Sequence, residues 1–257
     1  MPTVSKTHIA VTPQQQQLTS GNPAKVYKEI SVGDASWLTF VLFELYNLII
    51  CGLGGATGLF LRGLCLKGLL KSCGRGPMVG RDVTIRQPGR IEFGDKVTID
   101  DQCLLDVRTG DSSDAEIAAK VGIKIGSKVY LGRNSFLKAK YGRVVLADGV
   151  NIGSFTRIAT QGTIEIGNSV LISSYVYIGA GNHGFNDSST AIIEQEMGPY
   201  KGIKIGDNTW IGAKATILDG VTIGKDAIIG AHSLVRDDVP DRAIVVGTPA
   251  KILKFRG

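Results

Sequence analysis

One histidine stands where this chain could do acid–base chemistry. The segment Gly179-Ala-Gly-Asn-His-Gly-Phe-Asn-Asp187 sets His183 among glycines, which lets a second molecule come close to the imidazole. Histidine takes up and returns a proton near neutral pH without large tuning, so His183 is the first candidate for a general base. The bland alternative is an imidazole that hydrogen-bonds its own turn. Of the 3 histidines, His8 lies near the start, and His232 sits inside a regular repeat, where it reads as a structural corner residue. Zinc on such a scaffold needs several histidines, so no metal is expected. Cys51, Cys65, Cys73 and Cys103 lack zinc-type spacing and do not suggest a disulfide framework, which points to a reducing, cytoplasmic setting.

A repeat must hold that loop in place. Ile205 to Leu234 divides into five six-residue units that open at Ile205, Ile211, Ile217, Ile223 and Ile229. Four of the five follow the isoleucine with glycine, and the fifth position is always small: Thr209, Ala215, Val221, Ala227 and Ser233. Period six is neither the helical nor the alternating-strand pattern; it predicts a parallel β-helix, with one short strand and one corner per unit. Glycine, Asn and Asp are expected to supply the backbone angles of the corners. Three-unit coils begin at Cys73, Phe93, Ile125, Leu146, Ile166, Ile205 and Ile223, which predicts about seven coils. The step from Ile205 to Ile223 is a bare 18 residues, and extra residues elsewhere fall in or after the third unit. The two long insertions, Leu105 to Gly122 and Gly179 to Gly202, should therefore emerge along one edge and form the binding face.

Composition agrees with such a core. Hydrophobic residues make up 43% but aromatics only 7%, as stacked Ile, Val and Leu would require. The formal net charge of +6 suggests affinity for anions, while no basic cluster interleaved with aromatics speaks for nucleic acid. Residues 1–34 are expected to be a mobile tail, 35–72 an apolar helical segment or hairpin, 73–235 the β-helix and 236–257 a C-terminal extension. Within 35–72, Leu45 to Leu61 is uncharged and crowded with glycines, and Arg62, Lys67 and Lys71 follow. Three arrangements fit: a helical pair packed on the end of the β-helix, a monotopic hairpin in the cytoplasmic leaflet hinged near Gly52 to Gly55, and a single span.

Together, the repeats, the Asn182-His183 loop, Ile205-Gly-Asp-Asn-Thr-Trp-Ile-Gly212, Gly230-Ala-His-Ser233 and Gly247-Thr-Pro-Ala-Lys251 resemble the hexapeptide-repeat acetyltransferases. The nearest branch is that of galactoside, maltose and xenobiotic O-acetyltransferases and their polysaccharide-modifying relatives. The resemblance implies an all-β fold, a left-handed parallel β-helix that departs from the usual right-handed crossover. It also implies a homotrimer with active sites between subunits, and acetyl-CoA as co-substrate. His183 falls on the catalytic base and Trp210 on a pocket-lining tryptophan; Asn182 and Asp187 in the same loop are expected acceptor contacts. Ala213, Gly230 and Ala231 match positions along the pantetheine arm, and Lys251 and Lys254 match cations near the nucleotide phosphates. Arg236-Asp237 stands where the family often has Thr-Lys, so Arg236 is the candidate replacement cation. Thr160-Gln161 stands where galactoside enzymes carry acidic sugar-binding residues, which leaves the acceptor open.

The function so implied is transfer of an acetyl group from acetyl-CoA to a hydroxyl of a sugar or glycan precursor. N-acetylation of an amino sugar or nucleotide sugar fits the same motifs, and a non-catalytic β-helix scaffold is the third alternative. Peripheral or monotopic attachment at the inner face of the cytoplasmic membrane would bring the site near a lipid-linked acceptor.

Overall fold

Isoleucine opens each unit because that position points into the molecule. The computed structural model describes residues 15, 21–109, 120–195 and 198–257. Within them, sheets of seven, nine and seven strands, parallel except for the last strand of the second, are here sides A, B and C and are visited in turn by every coil. Side C ends in line with its neighbours, and side B gains two strands from the C-terminus. Cys73, Phe93, Ile125, Leu146, Ile166, Ile205 and Ile223 stand in register on side A, one per coil, as the six-residue period requires. Their counterparts, such as Ile152 and Ile211 on side B and Ile158 and Ile217 on side C, are fully buried, and so are the small fifth-position residues.

The corners correct one expectation. The left-handed backbone angle at the corners is carried by Asn134, Asn208 and Asp226, as expected, but more often by other residue types, including Lys128, Phe155, Tyr175 and His232. The second-position glycines answer a different demand. A Cβ on Gly132 would lie 2.6 Å from the Ser154 nitrogen, and one on Gly212 would lie 2.6 Å from the Ala231 nitrogen. Coils stacked at strand spacing, about 4.8 Å, leave no room for a side chain there.

Along the A–B corner, side chains tie each coil to its neighbour. Asp148 accepts from the Ser127 N–H at 2.7 Å, Asn168 from Asp148 at 3.2 Å and Asp207 from Asn168 at 2.7 Å. Asp95 does the same for Arg75, and Asp241 for Lys225. Both long insertions leave side C and return on side A, so they share the C–A edge, as expected. Residues 110–119 of the first insertion lie outside the described residues.

Helices close the N-terminal end. Part of the stretch expected as a tail is helix α1 (Pro23–Val32), begun by the Asn22 side chain accepting from the Ala24 N–H at 2.9 Å. The Ser31 carbonyl accepts from Gln87 at 2.7 Å, which joins α1 to the first coil. Helix α2 (Trp37–Leu45) runs on through a π turn at Tyr46–Ile50, and after a break at residues 51–54 the chain reverses into helix α3 (Gly55–Leu69). The hinge falls where the glycines predict it. Arg62 does not face outward with the other cations: it is 2% exposed, and its Nε donates to the Val79 carbonyl at 2.7 Å. Its guanidinium also donates to the Cys51 and Leu53 carbonyls, so it locks the hairpin onto the first coil. Leu66 and Tyr46 extend the core under that coil. The opposite surface leaves Leu38 70%, Leu48 83% and Phe60 70% exposed. No helix among the described residues is long and apolar enough to cross a membrane, which disagrees with the single-span arrangement.

Candidate active site

The residues singled out in the sequence fall on two different edges. Asn182, His183 and Asp187 lie on the C–A edge, in the loop between strand Tyr177–Ala180 of side C and strand Ile203–Ile205 of side A. His183 is exposed. The loop around it is built by its own polar groups. The Asp187 carboxylate accepts from the Ser189 N–H at 2.8 Å, the Ser189 hydroxyl at 2.6 Å and the Thr190 hydroxyl at 2.6 Å. Those donors hold its acid constant down at about 2. The Gln195 amide closes the turn by donating to the Asp187 carbonyl at 2.7 Å. The Asn182 carbonyl accepts from the Gly198 N–H at 3.0 Å, pinning the outgoing limb to the returning one.

Trp210, Ala213, Gly230 and Ala231 gather on the B–C edge. The Trp210 Nε1 donates to the Ser173 hydroxyl at 3.2 Å, which turns the half-exposed indole toward the corner of the coil below. Directly above, the His232 N–H donates to the Ala213 carbonyl at 2.9 Å, so the two corners are stacked. The C-terminal extension then crosses over this edge. Strand Ala243–Val246 joins side B, the chain passes the cis Thr248–Pro249 bond, and strand Lys251–Phe255 returns antiparallel. The Ala250 N–H donates to the Leu234 carbonyl at 2.8 Å. Lys254 pairs with Ile244, which follows Ile228 and Trp210 in one outward column, and Lys251 pairs with Val246. Both lysines are exposed. Arg236 is not in this group. It lies beyond Val235 toward the C–A edge and contacts Asp237 at 3.6 Å.

Residues 202–237 match the family model described as bacterial transferase hexapeptide (six repeats). The curated relatives that this chain is similar to are named as acetyltransferases. A Mycobacterium tuberculosis protein named as an acetyltransferase is 38% identical over 52% of this chain and 44% of its own. An Escherichia coli protein, WbbJ, named as a lipopolysaccharide-biosynthesis O-acetyl transferase, is 32% identical over 44% of this chain and 61% of its own. The galactoside O-acetyltransferase of Escherichia coli is 29% identical over 54% and 60%. The chain thus spans between 44% and 61% of the length of these relatives. Among solved structures, a mutant of AntD, an N-acyltransferase from Bacillus cereus in complex with dTDP-4-amino-4,6-dideoxyglucose and coenzyme A, superposes with a TM-score of 0.52. That match covers 76% of this chain and 89% of AntD at 21% identity, and it shows the fold: a left-handed parallel β-helix.

Beside the histidine loop lies a feature that the sequence reading passed over. Lys138, Lys140 and Arg157 on side C border a hollow of about 230 Å³ that reaches Gln161 and Gly181. Lys138 and Lys140 alternate outward on one strand, and Arg157 stands outward on the strand beside it. That alternation was the available signal. Among the described residues, no group of three His, Cys, Asp or Glu side chains could hold a metal.

Proposed function

We propose that this protein transfers an acetyl group from acetyl-CoA to a hydroxyl of a sugar or glycan precursor. The observation that carries the reading is an exposed, glycine-flanked His183 on a loop stiffened by Asp187, with an open, stacked main-chain corner on the next edge. His183 accepts the hydroxyl proton as the oxygen attacks the thioester carbonyl. The carbon–sulfur bond breaks, the ester forms, and the proton passes to the departing thiolate. No covalent enzyme intermediate is needed.

The B–C corner suits the donor. Gly212 and Gly230 have no side chains, so a slender pantetheine arm could lie along the main chain beside Ala213 and Ala231. Lys251 and Lys254 supply cations for the phosphates, and Arg236 a further one from the adjoining side. Trp210 walls the pocket. Side C separates this corner from His183 within one chain, so a loop from one copy meeting the corner of another completes the site. A homotrimer satisfies that need with closed symmetry. Asn182 orients the loop, and Asp187 shapes it as well as bordering the acceptor.

The chain divides, in this proposal, into an N-terminal segment through residue 34 that includes the docked helix α1, a membrane-facing hairpin over 35–72, the acyltransferase β-helix over 73–235 and the completing extension over 236–257. The apolar outer face of the hairpin seats in the cytoplasmic leaflet, since a soluble surface seldom leaves such a patch bare. Recovery of the full chain in the soluble fraction without detergent would remove that part of the proposal.

The central test is CoA release from acetyl-CoA with a panel of sugars and amino sugars. His183→Ala should lower turnover by on the order of 10²–10⁴ and leave acetyl-CoA binding intact. Near-normal turnover in that variant would sink the assignment. Transfer to amines alone would replace the hydroxyl acceptor with an amino sugar.

A further inference from the structure

We infer that the acceptor is a glycan of at least two sugar units, one of which lies on the stacked rings of Phe155 and Tyr175 at the B–C edge. This deepens the transferase reading and rests on it for the direction of the donor, whereas the ring platform stands on its own geometry.

The six-residue spacing builds the platform. Gln102, Asn134, Phe155, Tyr175, Lys214 and His232 hold the same place at the corner between sides B and C, each with a left-handed backbone angle. The corners stack through the main chain: the Phe155 N–H donates to the Arg133 carbonyl at 3.0 Å, Tyr175 to Ser154 at 3.0 Å and Lys214 to Ser174 at 3.1 Å. This outward column is polar except at its middle. There the rings of Phe155 and Tyr175 lie parallel within 5°, their centroids 4.9 Å apart. That distance matches the separation of adjacent coils, about 4.8 Å, so the rings follow one another at the same step as the main chain.

The pair serves no packing need within the chain. Phe155 is 46% exposed and Tyr175 55%, and bulky residues seldom adopt the left-handed angle that both carry. Two parallel rings open to solvent suit the C–H face of a pyranose, which buries apolar area without giving up its hydroxyls. Ser154 and Ser174, half-buried immediately before the two rings, add hydroxyl groups that can donate to or accept from a sugar.

Position in the column names the occupant. If the donor binds as proposed, its phosphates lie by Lys251 and Lys254 at the last coil, and its arm descends past Ala231 and then Ala213. The next corner below is that of Ser173, Ser174 and Tyr175, joined to the donor corner by the Trp210 Nε1, which donates to the Ser173 hydroxyl at 3.2 Å. The thioester end therefore points at Tyr175, and the N-terminal side of the column is the open approach for the attacking hydroxyl. Tyr175 also belongs to the coil whose next corner carries the His183 loop. The sugar that reacts sits level with Tyr175. Phe155 stands one coil further from the donor, where a second sugar unit covers it.

Two measurements test this, one independent of transfer. With CoA saturating, calorimetry compares trisaccharides of glucose, galactose, mannose, rhamnose and N-acetylglucosamine with the corresponding monosaccharides. At least one trisaccharide should bind on the order of tenfold or more tightly than its monosaccharide, and the Phe155→Asn/Tyr175→Asn protein should lose that difference. Asparagine keeps the left-handed corner, as Asn134 does in the same column. Tyr175→Phe, which retains the ring, and Met78→Ala, on the first strand of side B, should bind as the parent does. The platform is overturned if no trisaccharide is favoured or if the double variant keeps the difference. It is also overturned if light scattering gives the double variant a smaller mass than the parent, since the rings would then join copies of the chain. In the transfer assay, the favoured trisaccharide should outdo its monosaccharide through a lower apparent constant, and the double variant should lose that preference. Equal use of the two overturns the acceptor class. Ring-dependent trisaccharide binding with no transfer to any sugar would refute the transferase reading while keeping the platform.

Discussion

The Thr248 hydroxyl donates to the His232 carbonyl at 3.1 Å, tying the C-terminal crossover to the same corner that stacks on Ala213. The position of Lys251 is thereby set by the last coil and not by a loose tail. Lys251→Ala should raise the apparent acetyl-CoA constant on the order of tenfold with modest loss of turnover, as expected for a group that binds the donor equally before and during the reaction. Initial-rate kinetics over a range of acetyl-CoA concentrations provide the check.

If loop and corner come from different copies, two impaired proteins should repair one another when acetyl-CoA is held well below its apparent constant. Co-expressed His183→Ala and Lys251→Ala chains would form mixed assemblies in which about one quarter of the sites unite an intact loop with an intact corner. Activity no greater than the sum of the separate variants would mean that each chain builds its own site.

Asp187 gives the loop a defined dependence on acidity. Its carboxyl is held at about 2, below the ordinary value near 3.9, by hydrogen bonds to its charged form. Because the folded value is depressed, the support it gives is complete above the ordinary value and is lost as pH falls through about 2. Protease sensitivity of the loop should therefore be flat from neutral pH down to about 4 and rise below it. Asp187→Asn should show raised sensitivity already at neutral pH, with turnover falling more than donor affinity.

Arg62 tests the closure of the N-terminal end. Arg62→Ala removes donors from the Val79, Cys51 and Leu53 carbonyls and should destabilise the protein by about 2–4 kcal/mol, read from denaturant unfolding. An effect below about 0.5 kcal/mol would mean that the hairpin is only loosely seated.

The period of six made the core legible, since every coil start from Cys73 to Ile223 is an inward residue of side A. The shared edge of the insertions followed from the same count. The purpose of the glycines did not, because crowding such as that between Gly212 and Ala231 depends on the coil above, which a single unit does not reveal. The Arg62 side chain was equally hidden: a cation after an apolar run looks the same in sequence whether it meets lipid head groups or main-chain carbonyls. At the site, the type of residue exposed His183, but the role of Asp187 as the loop's own clasp needed coordinates. The side C cations escaped notice because none of them belongs to a motif.

Excess length expelled only at the C–A edge has an evolutionary consequence. Any added residue elsewhere would shift the register of every later coil, whereas residues added at this one edge leave the ladder along the A–B corner undisturbed. Descendants of such a chain can lengthen or trim a loop at this edge while the stacked B–C corner is inherited unchanged.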